Sequence, residues 1–330
     1  MQNNTGKDML NQAKVILAKS GPLVALILMM IFLTIRHPSF LTADNLLNVL
    51  RQSSSQALIA IALMLAILTG GIDLSVGSSM ALAMVIMGKF LEAGMNPLLC
   101  AIICVLSGVV LGWVNGILLT KLRLPHPFIS TMGTQFVYRG ICLVLTKGTP
   151  ISGMPAEVKW AGATFLGPIA VSVIIVIIIY VIFGVFFSKT TLGRHIYAVG
   201  GNRDTAKLAG VNVDFTLIMV YSLSGLMCGV AGLILAGRVD AIAPMAGVNW
   251  ETDAIAAVIV GGASFFGGKG NISGTFVGVM LIAVLRNGLN LLAIAPDMQT
   301  VILGSVIILS VFIDVIRNGG FKRVSKIATN

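Results

Sequence analysis

Charged side chains are scarce in this sequence: Asp, Glu, Lys and Arg make up 10% of its 330 residues, where soluble domains carry about 25%. So little polar side chain cannot cover a water-soluble globule of this size, which excludes an ordinary soluble enzyme. Histidine is scarcer, with three copies, His37, His126 and His195, all in loops or at the ends of apolar runs. Paired catalytic acids, a Ser/His pair or facing metal ligands are therefore missing from the apolar runs, and no catalytic residue is assigned. The four cysteines, Cys100, Cys104, Cys142 and Cys228, all lie inside apolar runs. No histidine or acid stands near Cys100 and Cys104, so they read as small apolar fillers and no metal site is assigned. Lys and Arg outnumber Asp and Glu, 22 to 12. They are scattered singly or in twos without interleaved aromatics, which argues against nucleic acid as a partner.

What the chain does have is apolar length. Hydrophobic residues reach 57% and mean hydropathy is +0.98, values that also exclude disorder. Glycine is abundant, 37 residues, as closely packed transmembrane helices require. The reading is an all-α integral membrane protein, a polytopic bundle of about ten transmembrane helices in a lipid bilayer. The runs fall near 22–36, 54–70, 74–92, 97–120, 127–146, 164–187, 214–236, 252–266, 272–292 and 296–316. The first follows Lys7, Lys14 and Lys19 and is closed by no small-x-small cleavage pattern, so it reads as an uncleaved helix. If the amino end is cytoplasmic, 14 of the 22 basic residues fall in cytoplasmic segments and 6 outside, the asymmetry the positive-inside rule expects. This divides the chain into a cytoplasmic amino-terminal segment 1–21, a transmembrane domain 22–316 and a cytoplasmic tail 317–330. The longest cytoplasmic connection is 188–213. No segment is large enough to bind a nucleotide. Gly261–Gly270, GGASFFGGKG, is not a phosphate loop, because Ala263 and Gly270 stand where glycine and Ser/Thr are required. Any energy source must be a gradient or a partner protein.

Two segments carry chemistry. In Leu68–Ser79, LTGGIDLSVGSS, Asp73 sits at a break between apolar runs, behind Gly70-Gly71. An ionised Asp at mid-bilayer costs on the order of 2.5–3.5 kcal/mol and must face protein or water. It reads either as a pathway or gating element or as a structural cap of the following half-helix, with Ser75 as a partner. Arg139 and Arg286, the basic residues inside spans, have three options: pairing with Asp73, snorkelling, or holding a carbonyl-rich turn. Thr69, Asn115, Gln135, Asn287 and Asn290 are the polar side chains available to line an aqueous path; amides offer donor and acceptor together and suit uncharged, hydroxyl-rich solutes. They serve equally as glue between helices. The second segment is Gly200–Val211, GGNRDTAKLAGV. Gly200 and Gly201 precede capping residues Asn202 or Asp204, Arg203 stands between them, Lys207 lies near the end and Gly210 supplies the stop. So short a helix persists only when docked, and Ala206, Leu208 and Ala209 offer the apolar contacts.

Stripes of small residues, Gly108-x3-Gly112-x3-Gly116, Gly225-x3-Gly229 and Gly274-x3-Gly278, read as packing seams. The heptapeptides LSGVVLG (Leu106–Gly112) and LSGLMCG (Leu223–Gly229) form a weak repeat that runs in opposite directions through the membrane, as an inverted repeat would.

TGGIDLSVGS, GRHIYAVGGNRDTAKLAGVNV and DAIAAVIVGGASFFGGKGNISGT, in this order and spacing, resemble the permease subunits of bacterial ABC sugar importers. The similarity is to the ribose-type group, which includes xylose, arabinose, galactose, allose and autoinducer-2 systems, and it spans roughly residues 20–316. The resemblance implies an inner-membrane subunit that dimerises with a second copy or a paralogue. A cytoplasmic ABC ATPase would bind ATP and Mg, so this chain would bind no cofactor itself. A periplasmic or lipoprotein sugar-binding protein would deliver the solute. It also implies that Gly200–Gly210 is the coupling helix docking on the ATPase. The alternative is a gradient-driven secondary sugar transporter, for which Asp73 is the candidate titratable group. The outside loops Lys147–Ala163 and Arg238–Glu251, with mixed charges at Glu157, Lys159, Asp240 and Glu251 among others, are expected to dock the binding protein.

Overall fold

The computed structural model describes residues 21–317, except positions 123 and 125. The expected tails, 1–21 and 317–330, lie outside the described residues but for their boundary positions. Every one of the ten apolar runs carries a helix. The first is α1, Gly21–Arg36. There follow α2 (Ala43–Leu68), α3 (Val76–Glu92), α4 (Pro97–Thr120), α5 (Pro127–Thr146) and the short α6 (Ala156–Ala163). Next come α7 (Val171–Lys189), α8 (Thr191–Gly201), α9 (Arg203–Leu208) and α10 (Val213–Val239). The last are α11 (Trp250–Val260), α12 (Ile272–Leu291) and α13 (Pro296–Arg317). Seven of them, α2, α4, α5, α7, α10, α12 and α13, are long and apolar enough to cross a membrane. The chain is a polytopic all-α membrane protein.

The boundaries differ from the apolar runs where polar chemistry continues a helix or stops it. α2 starts well before residue 54, because Thr42 caps it by accepting from the amide of Asn45 and the polar stretch Asn45–Ser55 stays helical. The run at 164–187 opens instead with a hairpin, Phe165–Leu166 paired antiparallel with Ile169–Ala170 around Gly167 at φ +62°. The run at 252–266 ends at Val260, where Gly262 turns to φ +95°. With 11 residues, α11 is roughly 16 Å long, about half of a 30 Å hydrocarbon layer.

The core is built around α2. Every residue from Ala57 to Leu68 is buried, and α10, α12, α11 and α7 surround it. A helix apolar on all sides is satisfied only by such enclosure or by lipid. The tightest partnership joins α4 to α10. A Cβ on Gly112 would strike the carbonyl of Tyr221; one on Gly108 would strike that of Gly225, and one on Gly225 that of Gly108. Partner numbers fall along α10 as they rise along α4, so the helices are antiparallel, and the two copies of the LSG repeat pack face to face. Gly274 and Gly278 form a second seam, α12 against Gly261 and the carbonyl of Ala257 beside it on α11.

At the end of the bundle where α10 finishes, Ile151–Ser152 pairs with Ala241–Ile242. Asp240 ties the two outer segments together: its carboxylate bonds Lys159 at 2.8 Å and accepts from the Met154 amide at 2.7 Å. The Lys159 ammonium and that amide hold the Asp240 carboxyl below its ordinary range.

The glycine seam makes a direct prediction. Gly112→Ala forces α4 from α10 and should cost about 1–3 kcal/mol by overpacking. Gly133→Ala in α5, where nothing lies within 4 Å of the new methyl, should be neutral or gain up to about 1 kcal/mol. Melting temperatures of the two variants in detergent separate these outcomes.

Candidate functional site

The eight candidate path residues fall into three groups. The first surrounds the break between α2 and α3. Gly70 leaves the helix at φ +75°, and the backbone runs irregularly to Ser75. Its polar groups find partners within the protein: Gly71 N donates to Ala66 O at 3.0 Å, and Thr131 Oγ1 of α5 accepts from Leu74 N at 3.1 Å and lies 3.0 Å from Ile72 O. Thr69 closes α2 by donating to Ala66 O. Asp73 is 2% exposed. One carboxylate oxygen accepts from the amide of Ser75 at 3.0 Å and its hydroxyl at 2.6 Å, and the other accepts from Ser224 Oγ, near the middle of α10, at 3.0 Å. Asn115 of α4 donates to Ser75 Oγ at 2.8 Å. Asp73, Ser75 and Asn115 thus form one buried cluster joining α3, α4 and α10. An Asp that receives the amide two residues on is an Asx turn, and here it launches α3 as a half-helix.

Neither arginine inside a span pairs with Asp73. Arg139 donates to the carbonyls of Pro244 and Ala246 at 2.6 and 2.9 Å, holding a carbonyl-rich turn. Arg286 pairs with Asp253 at 2.6 Å.

The second group gathers at the start of α11. From the strand pair, residues 243–249 run back along the bundle until Gly247 lies against Gly77 in the first turn of α3, with no room for a Cβ on Gly77. Glu251 is 8% exposed and accepts from Gln135 of α5 at 3.1 Å. Asp253, also buried, binds Arg286 of α12 and Gln56 of α2. These two acids escape the sequence reading, which places Glu251 among the exposed loop charges and sees no buried acid but Asp73. The available signal was ETD ahead of a short apolar run; acids fit the first turn of a helix, where amide donors point outward. Arg238 is likewise no free loop charge, since it donates to the carbonyls of Arg51 and Gln52. The third group, Asn287 and Asn290, lines a cavity of about 400 Å³ between α2, α12 and the turn before α11.

At the opposite end of the bundle the three sequence motifs converge. A Cβ on Gly200 would strike the carbonyl of Leu68, the last residue of α2, and that same carbonyl accepts from Gly268 N at 2.9 Å. A Cβ on Gly267 would lie 2.8 Å from Gly70 N and 2.9 Å from Gly200 O. Tyr197 of α8 donates to Gly270 O at 2.9 Å. The glycine-rich segment after α11 is therefore a packing turn between α8 and the end of α2. Beyond Gly201, Asn202 caps α9 by accepting from Thr205 N at 2.8 Å, and Gly210 stops it at φ +84°. Arg203, Asp204, Lys207 and Ala209 are exposed. The apolar residues divide: Leu208 is 90% exposed, but Ala206 is 4% exposed and faces the protein's own core, which corrects the expectation that it meets a partner.

Asp73→Leu should lower folded yield and melting temperature, because it strands buried donors on Ser75 and Ser224 at about 1–3 kcal/mol each. Asp73→Asn, which keeps an acceptor, should lose less. Wild-type yield and melting temperature for the leucine variant would overturn the capping role.

Residues 45–311 match the family described as branched-chain amino acid transport system / permease component. The ribose import permease protein RbsC of Bacillus subtilis (strain 168) is 42% identical over 302 residues, 91% of this chain and 93% of that protein. The D-allose transport system permease protein AlsC of Escherichia coli (strain K12) is 40% identical over 290 residues, 87% of this chain and 88% of its own length. The fructose import permease protein FrcC of Rhizobium meliloti is 37% identical over 306 residues, 89% of this chain and 84% of its own. No solved structure matches the chain. With this similarity over nearly its whole length, the chain belongs to the ribose-type permeases of ABC sugar import systems, multi-pass proteins of the inner membrane.

Proposed function

We propose that this chain is the translocating subunit of an ATP-driven importer for a pentose or hexose, working beside a second permease subunit. A separate ATPase docks on the 188–213 connection from the cytoplasm, and a sugar-binding protein delivers the solute at the other end. The observation that carries this reading is the glycine junction: Gly200 on Leu68, and Gly267 on Gly70 and Gly200. Through it an exposed element, α8–α9, rests directly on the end of α2 and the interrupted backbone that leads to Asp73. Packed backbone without intervening side chains transmits displacement with little slack. A force applied to α9 therefore reaches the middle of the membrane without a flexible linker. The sugars named for the relatives, ribose, allose and fructose, set the substrate class. At the other end, the segment joined by Asp240 and Lys159 offers the binding protein a single linked surface, with Glu157 exposed on it.

The gradient-driven alternative gains two buried acids in Glu251 and Asp253, yet both are engaged by Gln135, Gln56 and Arg286. Sugar uptake by the purified chain alone, driven by a proton gradient, would decide for it.

The two apolar residues of α9 give the test. Leu208→Asp alters a surface side chain and should change this protein's own stability by no more than about 0.5 kcal/mol, while abolishing co-purification of a co-expressed ATPase and sugar-stimulated ATP hydrolysis. Ala206→Asp buries an unpaired charge and should reduce folded permease before coupling is reached. A Leu208→Asp variant that retains and stimulates the ATPase would remove this loop from the coupling path.

A further inference from the structure

The cavity beside Asn287 and Asn290 has the composition of a carbohydrate site. It lies between α2 and α12, closed on a third side by Val248–Trp250. Its volume, about 400 Å³, falls in the range of roughly 300–1,000 Å³ typical of small-molecule pockets. Along α2, Gln52 lies nearer the helix start and Gln56 one turn deeper; along α12, Asn290 lies nearer the helix end and Arg286 one turn deeper. The deep floor is organised around one atom. Asp253 Oδ2 accepts from Arg286 Nη2 at 2.6 Å and from Gln56 Nε2 at 3.2 Å. This fixes both side chains while leaving Gln56 Oε1 to accept. Arg286 Nε is buried and has no partner among the described residues.

The rim is built of amides. Asn290 uses its carbonyl oxygen to accept from Gln299, which leaves its NH2 to donate. Asn249 holds a left-handed backbone at φ +65°, and its side chain makes no capping bond to α11. Trp250, half-buried, supplies the one large apolar face. Side-chain amides present donors and acceptors together, matching hydroxyl groups that do the same. An indole matches the apolar face of a sugar ring.

We propose that this cavity is a sugar-binding station within the permease itself, taking one neutral monosaccharide ring. Gln56 and Arg286 bind hydroxyls at its floor, Gln52, Asn249 and Asn290 bind them at its rim, and Trp250 is the ring platform. This rests on the importer reading and adds to it: the permease exerts its own selection for hydroxyl-rich solutes, independent of the binding protein.

The chain has three tryptophans. Trp113 and Trp160 are exposed, and replacing both with Phe leaves Trp250 as the sole indole reporter. The full-length purified protein is titrated with D-ribose, D-allose, D-fructose and D-galactose, with D-ribose 5-phosphate and glycine betaine as non-matching solutes. A saturable change in Trp250 emission is expected with at least one of the four sugars and with neither control. Gln56→Leu should raise the half-saturating concentration roughly tenfold or more, the value of one polar contact. Asn249→Gly, which removes the amide and keeps the left-handed backbone, should raise it similarly and serves if the leucine variant folds poorly. No saturable response to any sugar, a response to the phosphate alone, or titrations unchanged by both variants would each overturn the site. ATP-dependent uptake without a saturable response sinks the site and leaves the importer reading standing. Saturable binding without ATP-dependent uptake, tested with the co-expressed ATPase, sinks the importer reading instead.

Discussion

Backbone interrupted inside a bilayer must find all its hydrogen-bond partners within the protein, and the whole arrangement of this molecule follows from two such interruptions. One lies between α2 and α3, where Thr131, Ala66, Ser75 and Ser224 serve the exposed groups and the Asp73 carboxylate. The other lies between α10 and α11, where Arg139 takes the carbonyls of Pro244 and Ala246. They are neighbours, since Gly247 in the second lies on Gly77 just past the first. Two half-helices thus begin side by side in the middle of the structure, one behind the single carboxylate of Asp73 and the other with Glu251 and Asp253 in its first turn. The span-borne polar residues are accounted for chiefly by this need.

Close backbone contact is the second recurring device. Where α4 meets α10, and where α8 meets the end of α2, carbonyl oxygens occupy the space a Cβ would take. In hydrocarbon, packing of this kind replaces the hydrophobic drive that holds soluble helices together. The two locations have different consequences. The α4–α10 seam is long and fixes an antiparallel pair. The α8–α2 junction is a point contact between an exposed segment and a buried one, so it communicates position as well as holding it.

Much of this was legible in the sequence, because apolar length and glycine spacing are local signals. The ten apolar runs locate ten helices, and Asn202 and Gly210 bound α9 as their chemistry requires. What was not legible depends on distant partners. Glu251 looks like a loop charge until α5 is placed beside it, and Asp253, at the start of the run 252–266, shows its role only once α12 and α2 are placed beside it. Arg139 and Arg286 each had several plausible partners, and only the tertiary arrangement assigns Pro244 and Asp253. Ala206 and Leu208 differ because α9 has six residues, too few for an apolar period to declare which side faces inward. The cavity lined by Gln52, Gln56 and Trp250 draws residues from remote segments, and no local pattern announces it.

The burial of α2 bears on how the chain is made. Its segment Ala57–Leu68 is enclosed by α10, α11 and α12 in the finished protein, yet those helices are synthesised long after it. At about 5–20 residues per second, α10 emerges on the order of ten to thirty seconds after α2 has entered the membrane. During that interval the faces of α2 that α10, α11 and α12 later cover must rest against lipid or the insertion machinery. A helix apolar around its full circumference tolerates both environments equally, so the same side chains that later form the centre of the bundle first let it wait in the bilayer.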